Sequence, residues 1–514
     1  MNNTDKSYDV LPYPSSARKN THPYYLRSAA ALSGFCAPLP DGCRVLEIGC
    51  SDAGNMLNMA QTIPTAHFLG IDISEREIEA GRAAIMALGL KNIEIEAGDI
   101  MEFDASRRGP FDYIIVHGIY SWVPEFVRRK ILDICREALS PQGVAFISYN
   151  ANPGCRLRDA VRDLARYAVR GTDSLHDAVA AAREAVETAK NLNAAESEYY
   201  SALLERECKM FGEVPDSFVA HDVLETVNRA FYFKEFAADL ADANLEHFGD
   251  STLDRYRIMY PPAPLADKIA RLSGDFYRRE QQIDFFIGRQ FRESLVCRYG
   301  ISSTPEKLPP ILFSMRIVSR LCASDKFVFS TKNGGMINAA ERPLLRGILQ
   351  ILQGAFPVAL TLEEIHCCLQ GEFPDALPEQ ILLELLECYR SLTDSVEFLT
   401  DVFPVAAELP EFPVASPVAR FQMRGDGKVS TLLHETIEIN PIQGLILQAA
   451  DGTRRKSGFG EYLLALFDAG ELEIGGAEDA SREVICGFLE RTAGEYLDFL
   501  VKNALILKMP GEIR

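Results

Sequence analysis

The feature that most constrains the fold lies in residues 41–150, where short apolar runs alternate with helical patterns. The runs that read as strands lie at 43–49, 66–72, 91–99, 111–118 and 143–150. Between them, apolar residues recur at spacings of three and four, the period of an amphipathic helix. Strands that alternate with helices build a parallel sheet with crossover helices. We therefore expect a doubly wound α/β core.

Composition excludes several classes of protein. The chain has 514 residues, enough for about two to four domains. Its 53 Lys and Arg against 73 Asp and Glu leave a formal charge of -20, which repels phosphate backbones and argues against nucleic-acid binding. There is no apolar run long enough to span a bilayer and no apolar signal core at the N-terminus, so we expect no membrane insertion and a cytoplasmic location.

The cysteines and histidines point to neither disulfides nor a metal. The 12 cysteines are scattered without a CxxC pair, as expected of reduced thiols. No HxxxH pattern or Cys and His cluster has metal-ligand spacing, and we predict no metal site. A GxSxG elbow and a GxxxxGK[ST] loop are also missing from the strand-to-helix junctions, which removes two common enzyme classes.

A glycine-containing turn follows the first predicted strand. The strand ends in Glu47, and Gly49 to Asn55 then lead into a helix. Backbone amides and a helix N-terminus approach a ligand closely in such turns. A dinucleotide fingerprint needs GxGxxG, but Ser51 stands at the middle glycine, so a pyrophosphate cradle is disfavoured.

Further acids and aromatic residues follow the next strands. Asp72 ends the second strand, 23 residues past Gly49, and suits a carboxylate that accepts both ribose hydroxyls. Asp99 beside Ile100 follows the third strand and could bind an adenine. Ligands of open α/β sheets lie beyond the carboxyl ends of the strands, where these groups converge. Together with Glu47 and the missing pyrophosphate cradle, this pattern fits S-adenosylmethionine better than NAD.

At these residues the chain resembles the bacterial class I methyltransferases with a methyltransferase regulatory domain, which include the rickettsial protein lysine methyltransferases. The resemblance rests on YDVLPYPSS and THP (8–23), VLEIGC and GN (45–55), FLGIDIS (68–74), FDYIIVHGIYSWVP (111–124), SYN with PG (148–154), HDVLETVNRAFYFKEF (221–236) and QQIDFFIGRQFRESLVCR (281–298). Weaker similarity at LLHE (432–435) and DGTRR (451–455) reaches the C-terminal region.

The resemblance implies a Rossmann-like class I methyltransferase core, a helical insertion with a regulatory region, and C-terminal winged-helix-like α+β domains. We accordingly divide the chain into a lid segment at 1–40, a cofactor-binding core at 41–165, a helical insertion and regulatory domain at 166–300, and winged-helix-like domains at 301–403 and 418–514. A helix and a strand expected at 231–255 would complete the core sheet. Methyl transfer from S-adenosylmethionine and a possible homodimer are implied as well.

The resemblance also implies roles for single residues. The cofactor positions are Glu47, Gly49, Cys50, Asn55, Asp72, Ile73, Asp99, Ile100, His117 and Gly118, and the active-site rim is Tyr13, Tyr120, Trp122, Tyr149 and Asn150. Ser51 and Ala53 depart from the family pattern, since both replace usual glycines. Cys155 stands where the family often has Trp, and residues 17–19 replace a Pro-Phe-containing stretch, so the substrate rim can differ from that of relatives.

Three functions remain open on these residues. The first is methylation of a protein, at lysine side chains, which the large non-catalytic half of the chain favours. The second is N- or O-methylation of a small molecule. The third is a regulatory or scaffold protein that binds S-adenosylmethionine without turnover.

Overall fold

The structure is a computed structural model. It describes residues 10–11, 15–192, 198–251, 274–301, 310–323, 325–392, 394–475 and 480–508.

A seven-stranded sheet forms the core of the N-terminal half. Its strands are β1 (Arg44–Ile48), β2 (His67–Asp72), β3 (Ile93–Ala97), β4 (Phe111–Val116), β5 (Leu139–Asn150), β6 (Leu245–Asp250) and β7 (Phe291–Arg298), in the order β3-β2-β1-β4-β5-β7-β6. The first five strands are parallel, which confirms the expected doubly wound α/β core. The five predicted strands are all present.

Helices cover both faces of this sheet, because successive strand residues point to opposite sides. The helices are α1 (Pro23–Leu32), α2 (Gly54–Thr62), α3 (Glu75–Leu88), α4 (Ala105–Arg108) and α5 (Glu125–Ala138). Buried residues of α1, α2 and α3 form one apolar core with the sheet, and those of α5 contribute to a second core on the opposite face. Ser74 caps α3, since its hydroxyl accepts a hydrogen bond from the Glu77 backbone N–H at 3.3 Å.

A helical insertion separates β5 from the last two strands. It contains α6 (Gly154–Ala168), α7 (Leu175–Leu192), α8 (Glu198–Glu213) and the short α9 (Asp216–Phe218), which runs into a π-helical turn at Val219–Val223. Next, α10 (Phe233–Asp242) leads to β6, and α11 (Phe276–Ile287) leads to β7. Strand β7 is antiparallel to both β5 and β6, so the sheet is completed after the insertion.

The C-terminal half consists of small sheets and helices with their own apolar cores. Its strands are β8 (Arg316–Val318), β9 (Leu321–Ala323), β10 (Val328–Thr331), β11 (Met336–Asn338), β12 (Leu360–Thr361), β13 (Glu397–Leu399), β14 (Lys428–Ser430) and β15 (Thr436–Glu438). Its helices are α12 (Pro343–Ala355), α13 (Leu362–Leu369), α14 (Pro378–Ser391), α15 (Pro417–Gln422), α16 (Pro441–Ala449), α17 (Phe459–Asp468) and α18 (Arg482–Lys502). The hairpin of β14 and β15 is antiparallel and lies between α15 and α16 in the sequence.

Short 3-10 helices lie at Lys19–Thr21, Ile100–Glu102, Pro310–Ser314 and Lys456–Gly458. Within the described residues, no helix has both the length and the apolar character needed to cross a bilayer.

Candidate active site

The turn between β1 and α2 needs glycine at its first position. Gly49 has a φ of +77°, and its backbone N–H donates to the Ile71 carbonyl oxygen at 2.8 Å. A Cβ atom at this position would overlap the side chain of Ile119. Gly49 therefore allows the loop after β4 to approach the turn.

Two other residues of the turn adopt left-handed conformations without being glycine. Ser51 has a φ of +49° and Ala53 a φ of +65°. These are the positions at which this chain departs from the glycines of the family. The Ser51 hydroxyl donates to Glu77 Oε2 at 3.3 Å, and its backbone N–H donates to Asp72 Oδ2 at 2.8 Å. The turn thus keeps a glycine-like path and is tied to β2 and α3.

Glu47 is a buried acid with one free oxygen. Only 5% of its surface is exposed, and its Oε1 accepts a hydrogen bond from Asn55 Nδ2 at 2.8 Å. Its Oε2 accepts no hydrogen bond from any described residue. Burial raises the pKa of Glu47 to about 8, while the Asn55 amide acts in the opposite direction. A buried carboxylate oxygen without a partner suits a cationic or hydrogen-bonding ligand group.

Asp72 lies at the carboxyl end of β2, beside this turn. Its Oδ2 accepts from Ser51 and its Oδ1 from the backbone N–H of Ser74 at 2.9 Å. Burial raises the pKa of Asp72, and the backbone hydrogen bonds act against that shift. Each oxygen keeps a second lone pair, so the carboxylate can still accept two hydroxyls. The neighbouring Ile73 is 59% exposed and offers an apolar surface at the same edge.

Asp99 and Ile100 follow β3, at the same edge of the sheet. Asp99 is exposed, and its Oδ1 accepts a hydrogen bond from the Met101 backbone N–H at 2.9 Å. Ile100 packs against the core on one side. The pair lies where the carboxyl ends of the parallel strands gather, and its role in binding an adenine stays a prediction.

His117 and Gly118 end the strand β4 region. The Ser148 hydroxyl oxygen lies 3.2 Å from His117 Nδ1 and accepts the Gly118 backbone N–H at 2.9 Å. Burial lowers the pKa of His117 to about 4, and the nearby Arg18 adds to this shift. His117 is therefore neutral near pH 7. Gly118 has a φ of +70° and is exposed.

Cys50 lies beneath the turn rather than at its surface. Its exposed fraction is 2%, and burial raises the pKa of its thiol well above the ordinary value. A Cβ at Gly70 in β2 would overlap the Cys50 and Met56 side chains. Cys50 can therefore contribute its backbone to a ligand site, whereas its side chain packs against β2.

The structure contradicts the prediction that Tyr120 and Tyr149 lie on the rim. Tyr120 is fully buried and donates its hydroxyl to Asp239 Oδ2 at 2.9 Å. Tyr149 is 1% exposed and packs on Phe236, with ring centroids 4.3 Å apart. Burial raises the pKa of both hydroxyls. Helix α10 covers these rings, so they stabilise the core below the strand ends.

The other predicted rim residues have different surroundings. Trp122 is half-buried in the loop after β4. Asn150, at the end of β5, donates its amide to Asn228 Oδ1 at 3.0 Å and is also half-buried. Tyr13 lies outside the described residues. Trp122 and Asn150 thus remain at the edge where the acceptor would approach.

An N-terminal strap, residues 15–22, packs over the N-terminus of α2. A Cβ at Gly54 would come 2.5 Å from the Ser15 hydroxyl and 2.9 Å from its carbonyl oxygen. The Arg18 backbone N–H donates to Asn55 Oδ1 at 2.9 Å, and Asn55 Nδ2 donates to the Thr21 hydroxyl at 3.0 Å. Ser15, Arg18 and Thr21 were not among the predicted site residues, although residues 1–40 were predicted to form a lid, whereas Asn55 was a predicted cofactor position.

A second unexpected contact comes from the far end of the chain. His434 Nε2 lies 3.0 Å from Asn55 Oδ1, across 379 residues of sequence. The only sequence signal at this position was the weak LLHE similarity at 432–435. Asn55 is thus a meeting point of the turn, the strap and the C-terminal half.

Family models match three parts of the chain. Residues 39–207 match a methyltransferase domain, 215–298 a predicted methyltransferase regulatory domain, and 411–505 the PKMT C-terminal winged helix domain. An uncharacterized protein of Rickettsia prowazekii, RP028, is 35% identical over 230 residues, which cover 45% of this chain and 92% of that protein. The chain belongs to the family of methyltransferases that carry a methyltransferase regulatory domain and a PKMT C-terminal winged helix domain.

Other relatives match this methyltransferase over nearly its whole length. The uncharacterized protein RP789 of Rickettsia prowazekii is 28% identical over 518 residues, 97% of this chain and 93% of that protein. The structure of PKMT2 from Rickettsia typhi has a TM-score of 0.85 at 24% identity and covers 96% of this chain and 100% of that chain. PKMT2 in complex with AdoHcy has a TM-score of 0.84 at 25% identity, with the same coverage. The fold of the methyltransferase is therefore shared with PKMT2 from end to end.

Proposed function

We propose that this methyltransferase transfers methyl groups from S-adenosylmethionine to lysine side chains of a protein. The observation that carries the proposal is the free carboxylate oxygen of Glu47 beside the Gly49 turn, with Asp72 at the next strand end. This arrangement offers partners for an amino acid tail and a ribose but no cradle for phosphates. The complex of PKMT2 with AdoHcy, the demethylated form of the same cofactor, supports this cofactor.

The residues at the strand ends fit the cofactor group by group. Glu47 Oε2 would bind the ammonium of its amino acid tail, because it is a buried acceptor without a partner. Asp72 would accept the two ribose hydroxyls with its remaining lone pairs. Ile73, Asp99 and Ile100 would enclose the adenine between apolar and hydrogen-bonding groups. Gly49 and Cys50 would contribute backbone, and His117 and Gly118 would close the site from β4.

The reaction asks for alignment more than for acid catalysis. When bound, S-adenosylmethionine supplies an electrophilic methyl group, whose bond to sulfur breaks with both electrons kept by sulfur while the new bond to nitrogen forms. The protein's own residues bind, orient and exclude water, and alignment of this kind can contribute about 7–11 kcal/mol. Trp122 and Asn150, at the edge of β4 and β5, would orient the acceptor.

The acceptor must be a neutral amine to provide a lone pair. Holding a lysine neutral near pH 7.5 costs about 4 kcal/mol, given its usual pKa near 10.4. A cationic neighbour lowers that cost, and the Arg18 charge acts on both Glu47 and His117 at this edge. The proton of the lysine ammonium leaves to water before the transfer, because His117, whose pKa burial lowers to about 4, is too weak a base to take it.

The protein substrate is supported by the C-terminal half. The PKMT winged helix domain matches residues 411–505, and PKMT abbreviates protein lysine methyltransferase. Such a large region beyond the catalytic sheet gives docking surface that a metabolite does not need. We place the reaction in the cytosol, where the 12 cysteines of the chain would stay reduced.

The test is transfer of labelled methyl groups. The purified methyltransferase is incubated with methyl-labelled S-adenosylmethionine and a lysate of its source cells, and proteins are separated from small molecules. We expect label in a protein band, and methyllysine in its digest by mass spectrometry. The Asp72→Ala variant should give no label. Label only in small molecules would show a metabolite enzyme, and cofactor binding without any label would show a protein that binds without turnover.

A further inference from the structure

We propose that His434, from the C-terminal winged helix domain, is a positioning residue of the cofactor site. It acts through Asn55, which holds Glu47 in place. The inference rests on the proposed S-adenosylmethionine site and extends it to a residue 379 positions away in the chain. The affinity for the cofactor would then depend on the docking of the C-terminal domain.

The Asn55 amide is fully engaged, and each bond defines its orientation. Its two N–H groups donate to Glu47 Oε1 at 2.8 Å and to the Thr21 hydroxyl at 3.0 Å. Its carbonyl oxygen accepts the Arg18 backbone N–H at 2.9 Å and pairs with His434 Nε2 at 3.0 Å. The Thr21 hydroxyl lies farther from this oxygen, at 3.2 Å, and has a shorter contact of 2.7 Å with the Arg18 carbonyl oxygen. An amide side chain has two donors and two acceptor positions, and all four are used here.

His434 has a single consistent protonation state in this network. Asn58 Nδ2 lies 2.9 Å from His434 Nδ1, so this nitrogen accepts and the proton resides on Nε2. The Nε2–H group then donates to Asn55 Oδ1. Burial lowers the pKa of His434 to about 3, so the ring is neutral near pH 7. A neutral ring keeps the one donor and one acceptor that the two asparagines require.

The loop that carries His434 is built to hold the ring in this place. His434 is fully buried and has a φ of +58°. The loop closes through hydrogen bonds from the His434 backbone N–H to the Thr431 carbonyl oxygen at 2.9 Å and from the Leu432 N–H to the Ala504 carbonyl oxygen at 2.8 Å. A buried non-glycine residue in a left-handed conformation is retained where the surroundings enforce it.

The consequence concerns the orientation of Glu47. Without the His434 donor, one acceptor position of the buried Asn55 oxygen is unfilled, and the amide is held less firmly in the orientation that directs Nδ2 at Glu47. Glu47 would then be less well placed for the ammonium group of the cofactor. His434 would therefore affect binding of the cofactor while leaving the transfer step itself unchanged.

The experiment compares His434→Ala with His434→Gln in the full chain. Binding of S-adenosylmethionine is measured by calorimetry. KM and kcat are measured with the acceptor protein that the labelling experiment identifies. We expect His434→Ala to raise Kd and KM roughly five- to tenfold, the effect of about one hydrogen bond, with kcat unchanged. Glutamine keeps an N–H donor near the Nε2 position and should restore much of the affinity. Both variants bear the same cost of the left-handed backbone, so their difference isolates the donor.

A double-mutant cycle tests whether His434 acts through Asn55. In an Asn55→Ala background, His434→Ala should have no further effect on Kd. The matched control is Tyr25→Phe, which removes a hydrogen bond of 3.2 Å to the Leu433 carbonyl oxygen in the same loop without touching Asn55. This control should bind the cofactor as the wild type does.

Three results would overturn the inference. One is wild-type affinity in folded His434→Ala, and another is an equal loss of affinity in the Asn55→Ala background. If His434→Ala does not fold, Asn58→Ala frees the ring at Nδ1, and wild-type affinity in that variant is the third. A wild-type protein that does not bind S-adenosylmethionine would instead refute the proposed function, and this inference with it.

Discussion

Ser51 occupies a backbone conformation that glycine adopts at lower cost. Its φ of +49° costs a residue with a Cβ about 1–2 kcal/mol, while glycine loses some of this gain through its more flexible unfolded state. We expect Ser51→Gly to stabilise the protein by about 0.5–1 kcal/mol, as measured by urea denaturation. The matched opposite change is Gly49→Ala, where a Cβ meets Ile119, and it should destabilise the turn. A Ser51→Gly variant less stable than the wild type would refute this account.

Asp72 connects the turn to the expected ribose site. Asp72→Ala removes the acceptor of the Ser51 and Ser74 backbone N–H groups together with the two proposed ribose contacts. We expect the variant to bind S-adenosylmethionine more weakly by about 2–5 kcal/mol of binding free energy, measured by calorimetry. The control is Asp133→Ala, an exposed acid on α5, which should bind as the wild type does. Unchanged affinity in folded Asp72→Ala would exclude this residue from the site.

Glu47 makes the stability of the cofactor-free protein depend on pH. Burial raises its folded pKa to about 8, above its ordinary value of 4.5, so the folded state retains a proton that the unfolded state releases. The stability that Glu47 contributes to the folded state is therefore fully present below pH 4.5 and is lost as the pH rises toward 8. Glu47→Gln stays neutral and should remove this dependence, a difference of about 1–4 kcal/mol at pH 8.

The measurement is denaturation of both proteins by urea at intervals between pH 5 and 9. The two curves of stability against pH should converge at low pH and diverge at high pH. Parallel curves would show that Glu47 is ionised in the folded state, since a group that keeps its charge contributes no such slope.

At the scale of elements, a buried charge cluster joins β6, β7 and α11. Arg292 of β7 donates to Asp250 Oδ2 at 2.7 Å, to Asp284 at 2.9 Å and to Glu280 at 3.3 Å, and its exposed fraction is 1%. Nearby charges raise the pKa of Arg292 against the effect of burial. The cluster fixes the two antiparallel strands that complete the sheet.

Removing Arg292 should be severe. Arg292→Met removes the cation that three buried acids share, although Asp284 keeps its ion pair with Arg289 at 2.6 Å. We expect a loss of about 3–5 kcal/mol in the free energy of unfolding. Arg129→Met is the control, because Arg129 pairs with Glu125 on the exposed surface of α5, where the loss should be below about 1 kcal/mol. Equal losses in the two variants would contradict the proposed role of the cluster.

The parallel part of the sheet could be predicted because its signals are local. Each strand from β1 to β5 is a short apolar run between helical patterns, and the turn after β1 has a family motif. Strand β7, with the sequence FRESLVCR, was not predicted, because its partner β5 lies about 150 positions earlier in the chain. Its place depends on the charge cluster around Arg292, which periodicity does not show.

The acids and glycines of the site could be predicted from their position after strands. The burial of Tyr120 and Tyr149 could not, because it depends on α10, which packs over the sheet from more than 80 residues away. Likewise, nothing local indicates that His434 reaches Asn55. Residues whose role follows from their position after a strand can thus be predicted from the sequence. Residues whose role depends on a distant element of the fold cannot.

At the scale of the whole molecule, the strap is held by charges from the C-terminal half. Lys19 pairs with Glu397 and, at 3.1 Å, with Glu435, which also pairs with Lys332 at 3.1 Å. Burial alone would raise the pKa of Glu435, but these lysines hold it at about 2. Asp401 of the C-terminal half pairs in the same way with Arg27 of α1, at 3.1 Å. Glu397, Asp401 and Glu435 therefore join the two halves of the chain.

Lys19→Met should loosen this connection. Glu397 and Glu435 lose a shared, largely buried cation, and we expect the protein to be destabilised by about 1–3 kcal/mol. Amide hydrogen exchange across residues 15–32 should become faster than in the wild type. The control is Lys209→Met, whose partner Glu213 lies on an exposed surface. Unchanged exchange in the Lys19 variant would show that the strap is held by its other contacts.

The separation of 379 residues between Asn55 and His434 also determines when their contact can form during synthesis of the chain. At about 5–20 residues per second, a ribosome needs roughly 20–75 s to proceed from one residue to the other. During that interval the sheet strands are made and can pair, while Asn55 still lacks its last partner. A newly made chain would thus reach its full affinity for the cofactor only near the end of translation, and a truncated product that lacks His434 would bind the cofactor more weakly.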